Sequence, residues 1–342
     1  MISLLVVNYR SAALAADAIR TARASASPAL QVVVVDNSCD DAEARALAPH
    51  ADTLLVSKTN RGYAGAINDG RKACEGETIV VSNPDVKFAP HAIDELHDAL
   101  RGAAVAGPAL FWDDEHTWML PPGDACTGPQ KLDEVLASRS RVWFEQRDRR
   151  RFLQRVAFWS LTETTRTNML SGAVLAIRAK DFDALEGFDE RFTLYFEETD
   201  FLRRVRASRR QIAYVPRARV RHLFNQSASQ IASEAAAHFA KSELRYLEKW
   251  NGPFVARTLK NIERPMRGYD AVEATAVIDV DRDDLVVEAS PLSTFATAAG
   301  YFPPQRRISL PPEVRASIRS EFYLRTVVRA TGEVIATYRI GA

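Results

Sequence analysis

The stretch "LYFEETDFLRR", Leu194 to Arg204, places three acids and two arginines within eleven residues. Carboxylates crowded at one point can take a proton from a hydroxyl, which at neutral pH needs such a base to become a nucleophile. The same acids, Glu197, Glu198 and Asp200, could instead match the positive end of a helix and pair with Arg203 and Arg204 one turn later. A first-turn carboxylate gains about 0.3–1 kcal/mol from the helix dipole, which keeps it ionised and lowers its basicity. Three acids exceed what a cap requires, so one is expected to do chemistry and the others to support it.

Further candidates fall where apolar runs end. "SLLVVN" closes on Asn8 and Tyr9, and "QVVVVDN" closes on Asp36, whose carboxylate could accept from a ribose or a base. An Asx turn or helix cap would use the same residue. "NRGYAGAINDG" carries Asn60, Arg61 and Gly62 into a glycine-containing helix start, where amides favour phosphate. Its spacing matches neither G-x-G-x-x-G nor the Walker A loop. "VVSNPDV" presents Asn83 and Asp85 in a turn, and Asp85 is a hard oxygen ligand suited to Mg²⁺ or Mn²⁺ beside a diphosphate.

Something must hold these strand ends together. Short continuous apolar runs alternate with helical patterns through the first hundred residues, which predicts an α/β fold with a mostly parallel central sheet covered on both faces. In such sheets ligands bind at the carboxyl ends of the strands. The alternation stops over residues 111–166, which hold four of the five tryptophans and, from Arg139 to Arg151, six arginines against two acids. Most of these tryptophans are expected in a packed core, with part of the arginine run resting on anionic lipid. The pattern returns with "NMLSGAVLAIRAKDFDAL"; "QIAYVP" and "RARVRH" read as two strands, and "ASEAAAHFAKSELRYLEKW" as a long helix. Alternating strands resume after residue 269, the last two joined by a "RATG" hairpin turn. The expected division is a large domain over 1–252 with the insert at 111–166, a linker over 253–268, and a small β domain over 269–342.

Composition narrows the setting. The 342 residues carry a net charge of +1, so no global field calls for nucleic acid. Three cysteines without metal-ligand spacing fit a reducing compartment. No apolar run approaches a membrane span, and "MISLLVVNYR" lacks the basic start of a signal peptide, so a cytoplasmic protein is expected, peripheral at the inner membrane face if its acceptor is there.

Taken in order, "LLVVNYRS", "VVVVDNSCDD", "NRGYAGAINDG", "VVSNPDV", "MLSGAVLAIRAKDFDALEGFDERFTLYFEETDFLRRVR" and "AYVPRARVRH" resemble the inverting family 2 glycosyltransferases, rhamnosyltransferase-like branch, over roughly residues 1–250. The resemblance implies a GT-A fold, a nucleotide-diphosphate sugar donor such as dTDP-rhamnose, a lipid-linked or polysaccharide acceptor and a divalent cation, Mg²⁺ or Mn²⁺. It places Asn8, Tyr9, Asp36, Asn60, Arg61, Gly62 and Asn83 at the donor. It makes Asp85 and His222 the metal ligands, with Asn83 standing where the family's D-x-D element has its first acid. The base falls on Glu198, with Glu197, Asp200, Ser171 and Gly172 on the acceptor and support side. Two other readings use the same features. A nucleotidyltransferase would carry a glycine- and base-rich loop after the first strand, whereas "NYRSAALAAD" has one arginine and no glycine. A non-catalytic glycan-binding scaffold would fit the substitution at Asn83 but not the retention of Asp85, Glu198 and His222.

Overall fold

A computed structural model describes the chain except for residues 28, 224–231, 276, 281, 305, 318–320 and 342. The elements run β1 (Ile2–Asn8), α1 (Ala12–Ser25), β2 (Leu30–Asp36), α2 (Asp41–Leu47), β3 (Thr53–Val56), α3 (Gly62–Arg71), β4 (Thr78–Ser82), β5 (Val86–Phe88), α4 (Ala92–Ala99) and β6 (Val105–Phe111). There follow α5 (Gly128–Ala137), α6 (Arg141–Trp159), β7 (Thr165–Arg166), β8 (Val174–Arg178), α7 (Ala179–Ala184), α8 (Glu197–Ala207), β9 (Ile212–His222), α9 (Ala232–Asn251) and α10 (Pro253–Ile262). The chain ends with β10 (Val272–Glu273), β11 (Val277–Asp279), β12 (Leu285–Ser290), β13 (Ala299–Tyr301), β14 (Arg307–Ser309), α11 (Pro312–Ser317), β15 (Phe322–Val328) and β16 (Val334–Ile340). These form two compact units. The first holds residues 1–109, 123–125 and 162–246; the second holds 110–122, 126–161 and 247–342.

The first unit is built on a sheet ordered β3-β2-β1-β4-β8-β6-β9-β5, with β7 on β9. Every residue of β1 and β4 is buried, as strands covered on both faces require. Helix α1 buries Ala12, Ala15, Ala18, Ile19 and Ala22, the one-face spacing of an amphipathic helix. The pairings β3–β2, β2–β1 and β1–β4 are parallel, as expected. Beyond β4 the pairings β4–β8, β8–β6, β5–β9 and β7–β9 are antiparallel, so the sheet is mixed. Register sets the strand ends side by side: Asn8 lies opposite Asp36, and Val6 opposite Ser82.

The two strands expected at "QIAYVP" and "RARVRH" are one strand, β9. Pro216 has no amide to donate, and it falls outside both the stretch paired with β7, Ala213 and Tyr214, and the stretch paired with β5, Val220 to His222.

In the second unit a sheet ordered β10-β16-β15-β12-β13 carries α6. Phe152, Val156 and Trp159, one face of that helix, pack on Val286 and Val327. The segment read as an insert of the first domain therefore shares its core with the C-terminal strands, and α10 occupies most of the expected linker. Trp112, Trp118 and Trp159 are buried, while Trp143 is exposed. The expected hairpin at "RATG" joins β15 to β16, closed by the Gly332 amide donating to Val328 at 2.8 Å.

Arg147 of the arginine run is buried as well, and so is Arg155 just beyond it. Arg155 pairs with Glu288 at 2.7 Å, and Arg325 bridges Glu288 and Asp148, each at 2.6 Å. Tyr269 donates its hydroxyl to Asp148 at 2.7 Å. All four charged groups are buried, so removing one acid leaves cations without compensation, a cost of about 3–5 kcal/mol. Glu288→Ala is accordingly expected to destabilise the second unit by about that amount in urea unfolding; a loss below about 1 kcal/mol would show that Arg155 and Arg325 find other partners.

Candidate active site

At the ends of the parallel strands, polar side chains are tied to one another. Asn8 is buried and donates to Asp36 and to Glu43, each at 2.9 Å, while its Oδ1 accepts from Ser11. Its amide is thus engaged by Asp36, Glu43 and Ser11. The Asp36 Oδ1 accepts from Asn8 and from the Ser38 amide, but Oδ2 is buried with no hydrogen-bond partner. A buried acceptor without a donor is costly, and this one would be satisfied by a ligand hydroxyl or N–H. Tyr9 is exposed beside Arg10.

Helix α3 begins against the chain at Thr193. Gly62 has φ +70°, and a Cβ there would lie 2.7 Å from the Thr193 carbonyl oxygen. The Gly62 amide donates to Asn60 Oδ1 at 2.9 Å, and the Tyr63 amide to the Thr193 carbonyl at 2.8 Å. Those amides, expected to face phosphate, are already bonded within the protein. Arg61 reaches away from the strand ends to Asp69 at 3.1 Å and Glu190 at 3.2 Å. Asn60 also accepts from Asn37, which fastens this loop to the end of β2.

Asp85 follows β4 and precedes β5, whose first residue Val86 is in register with His222 at the end of β9. This pairing brings Asp85 Oδ1 to 3.3 Å from His222 Nε2. Asp85 is buried, and Oδ1 makes no aligned hydrogen bond. An acid oxygen and an imidazole nitrogen aimed at one point fit a divalent cation. Among the described residues no group of three His, Cys, Asp or Glu could hold a metal without help. Two protein ligands leave the remaining positions to phosphate oxygens and water, the arrangement that Mg²⁺ usually adopts with nucleotides.

The start of α8 answers whether "FEETD" is only a cap. No side chain caps the helix. Tyr195 and Phe196 precede it at φ 66° and 69°, a left-handed conformation rare for aromatic residues, costing about 1–3 kcal/mol each. Asp200 is fully buried and grips Arg204 at 2.8 Å; Arg204 also donates to the carbonyls of Leu185 and Gly187. Asp200 thus binds the helix to the "GFDERF" turn rather than facing an acceptor. Gly172 lies against Glu198: a Cβ at residue 172 would stand 2.7 Å from Glu198 Cγ. Ser171 Oγ accepts from the Ala173 amide at 3.4 Å, stiffening the same turn.

Burial raises the pKa of Glu197 well above the ordinary carboxylate value, and the neighbouring Glu198 charge raises it further. Glu198 is raised by burial too, against the lowering effect of its own amide, the Thr199 amide and the Thr199 hydroxyl. The expected depression by the helix dipole is therefore outweighed. Glu197 Oε2 is buried without a hydrogen-bond partner.

Tyr63 was not singled out by the sequence reading. Its hydroxyl donates to Asn83 Oδ1 at 3.1 Å. Burial and the charges of Glu197, Glu198 and Asp85, in that order, raise its pKa, so its hydroxyl stays protonated among three acids. The fold thus gathers Asn83, Asp85, His222, Gly172, Glu197 and Glu198 around Tyr63. It leaves the Arg61 side chain in surface ion pairs and gives Asn8 and Asp200 internal partners.

A sequence profile of the glycosyltransferase like family 2 matches residues 1–246. Two curated relatives, the N-acetylglucosaminyl-diphospho-decaprenol L-rhamnosyltransferases of Mycobacterium tuberculosis strains CDC 1551 / Oshkosh and ATCC 25618 / H37Rv, are each 25% identical over 252 residues, 65% of this chain and 76% of theirs. Among solved structures, the mannosyltransferase PcManGT from Pyrobaculum calidifontis, in complex with GDP-Man and Mn²⁺, aligns with a TM-score of 0.46 at 16% identity, covering 76% of this chain and 73% of that one.

The raised carboxyl of Glu197 has a consequence for stability. Between the unfolded carboxylate pKa, about 4.3, and the higher folded value, the folded state holds a proton that the unfolded chain has lost. Stability therefore falls as pH rises through that window. Glu197→Gln is expected to raise the thermal midpoint at pH 8 and to change it little at pH 4.5; an equal effect at both pH values would contradict the assignment.

Proposed function

The chain belongs to the glycosyltransferase like family 2 and has the GT-A fold, and we propose that it is an inverting, metal-dependent enzyme in which Glu198 is the base. The observation that carries the proposal is the placement of Glu198, seated on the glycine at 172 with its pKa raised, in one cluster with Asp85 and His222. An inverting transfer needs the base on the face opposite the leaving group.

The acceptor hydroxyl gives its proton to Glu198 as its oxygen bonds to the anomeric carbon, and the bond from that carbon to the diphosphate oxygen breaks. A raised pKa makes Glu198 a stronger base than an ordinary carboxylate, provided that it is ionised. Asp36 Oδ2 accepts from the donor nucleoside. Asp85 and His222 would hold Mg²⁺ or Mn²⁺, which supplies charge compensation for the leaving diphosphate when bound. Glu197 keeps the pocket acidic beside the base, and Asp200 with Arg204 keeps the helix start in place.

For the donor we propose dTDP-rhamnose, and for the acceptor a lipid-linked or growing polysaccharide of a bacterial surface glycan. The names of the curated relatives, rhamnosyltransferases acting on a diphospho-decaprenol sugar, support this reading. Among the described residues no helix is long and apolar enough to cross a membrane. A lipid-linked acceptor would then be met from the cytoplasmic face, and exposed Leu132, Leu136, Val142 and Trp143 on α5 and α6 support peripheral contact there.

Glu198→Gln keeps the size and hydrogen bonding of the side chain but cannot take the proton. At saturating donor, sugar transfer is expected to fall about 10²–10⁴-fold while donor affinity is kept. Glu197→Gln is expected to retain transfer. Near-parental transfer by Glu198→Gln, with loss in Glu197→Gln, would move the base to the neighbouring residue.

A further inference from the structure

Beside the proposed base, aromatic surface is left open. Leu194 is 36% exposed and Phe239, on α9, is 47% exposed, while Tyr195 is half-buried. The Phe239 ring stands edge-on to Tyr195, with centroids 5.6 Å apart at 64°, and tilted to Phe196 at 5.2 Å. The Leu194 carbonyl accepts from Ser242 Oγ at 2.8 Å, which ties this loop to α9. Phe196 turns inward onto Tyr246 and is buried, but Tyr195 and Phe239 keep ring surface open to solvent.

A glycine at residue 195 would make the same turn without strain. Tyr195 makes it at φ 66°, and its hydroxyl has no hydrogen-bond partner among the described residues. Strain kept on a half-open aromatic points to a side chain used outside the fold. Burial and then the Glu197 charge raise the pKa of Tyr195, so its hydroxyl stays protonated beside that acid.

The charge around the two rings decides what can rest on them. Glu197 and Glu198 follow Tyr195 by two and three residues, so an anionic group is repelled. Arg191 is committed to Asp189 at 2.6 Å and Arg204 to Asp200 at 2.8 Å. Lys241, two residues beyond Phe239 on α9, does not share its face. A diphosphate is therefore a poor occupant. An alkyl chain would suit the rings but would leave the Tyr195 hydroxyl unpaired. A pyranose ring suits both, with its C–H face on an aromatic face and its hydroxyls toward Tyr195 and the carboxylates. Three residues of chain span at most about 11 Å, so a sugar on Tyr195 is within reach of Glu198.

We propose that Leu194, Tyr195 and Phe239 form an acceptor subsite whose rings hold the apolar face of the acceptor's sugar and leave its attacking hydroxyl at Glu198. This rests on the acceptor reading given above, and adds the group by which the acceptor is held.

The test is steady-state transfer from dTDP-rhamnose to two probes by the parent, Tyr195→Leu, Tyr195→Phe and Phe239→Leu. The probes are the methyl glycoside of N-acetylglucosamine and the same sugar linked through a diphosphate to a decyl chain. An aromatic contact corresponds to roughly threefold to tenfold in affinity. Tyr195→Leu and Phe239→Leu are each expected to raise the acceptor KM by that much, by the same factor for both probes, while the donor KM stays within about twofold of the parent. Tyr195→Phe, which keeps the ring, is expected to lose less than Tyr195→Leu. A loss confined to the decyl probe would make these residues a lipid contact instead. An unchanged acceptor KM, or a donor KM raised as much as the acceptor KM, would likewise overturn the proposal. Release of dTDP by the parent without transfer to either probe would remove the acceptor reading, and this inference with it; no release of dTDP would remove the donor reading as well.

Discussion

Two adjacent carboxylates stand at the start of α8, Glu197 buried and Glu198 half-buried, and withdrawing them from water is unfavourable unless the chain around them is fixed. The helix start has no capping side chain and is entered through two left-handed aromatic residues. What fixes it is tertiary. Phe196 packs against Phe239 and Tyr246 with ring centroids 5.2 and 5.3 Å apart. Asp200 and Arg204 anchor the first turn to the carbonyls of Leu185 and Gly187. A bare glycine at residue 172 gives Glu198 the space it occupies. Strain and desolvation are concentrated where proton transfer is proposed, and packing around the helix holds them there.

The rest of the first unit aligns partners with this helix. Parallel register between β1 and β2 sets Asn8 beside Asp36, and the Asn8 amide ties that acid to Glu43 and Ser11. Antiparallel pairing of β5 with β9 brings residues 85 and 222 together although 137 positions separate them in the chain. The joint between Tyr63 and Thr193 ties the donor-side helix α3 to the loop before α8. A change in strand register would displace a ligand or a base without touching either.

The parallel half of the sheet was legible because its strands are buried on both faces and read as continuous apolar runs. The antiparallel half was not, since a strand's own residues do not state the direction of its neighbour. Pro216 looked like a break and is spanned, lying between the residues of β9 that pair with β7 and those that pair with β5. Within the site, Asp36, Asp85, His222 and Glu198 were visible as acids or imidazole at strand and helix ends. Asn8 and Arg61 were equally visible, yet their partners Glu43 and Glu190 lie 35 and 129 residues away and could not be seen from spacing. For Asp200 the signal was present in Arg204 at i+4. Tyr63 reads as one residue of a helix, and its partner Asn83 lies 20 residues on, beyond what spacing reveals. The arginines of α6 suggested a surface, but Arg155 is buried and donates through Nε to Glu288, 133 residues on.

The central claim is that a half-buried carboxylate of raised pKa, Glu198, takes the acceptor's proton. The pH dependence of kcat/KM for sugar transfer tests it most directly, compared between the parent and Glu198→Gln. The account predicts an ascending limb with its midpoint above the ordinary carboxylate value of about 4.3, absent from the residual transfer by Glu198→Gln. A limb at the ordinary carboxylate position, or one that Glu198→Gln leaves in place, would contradict it.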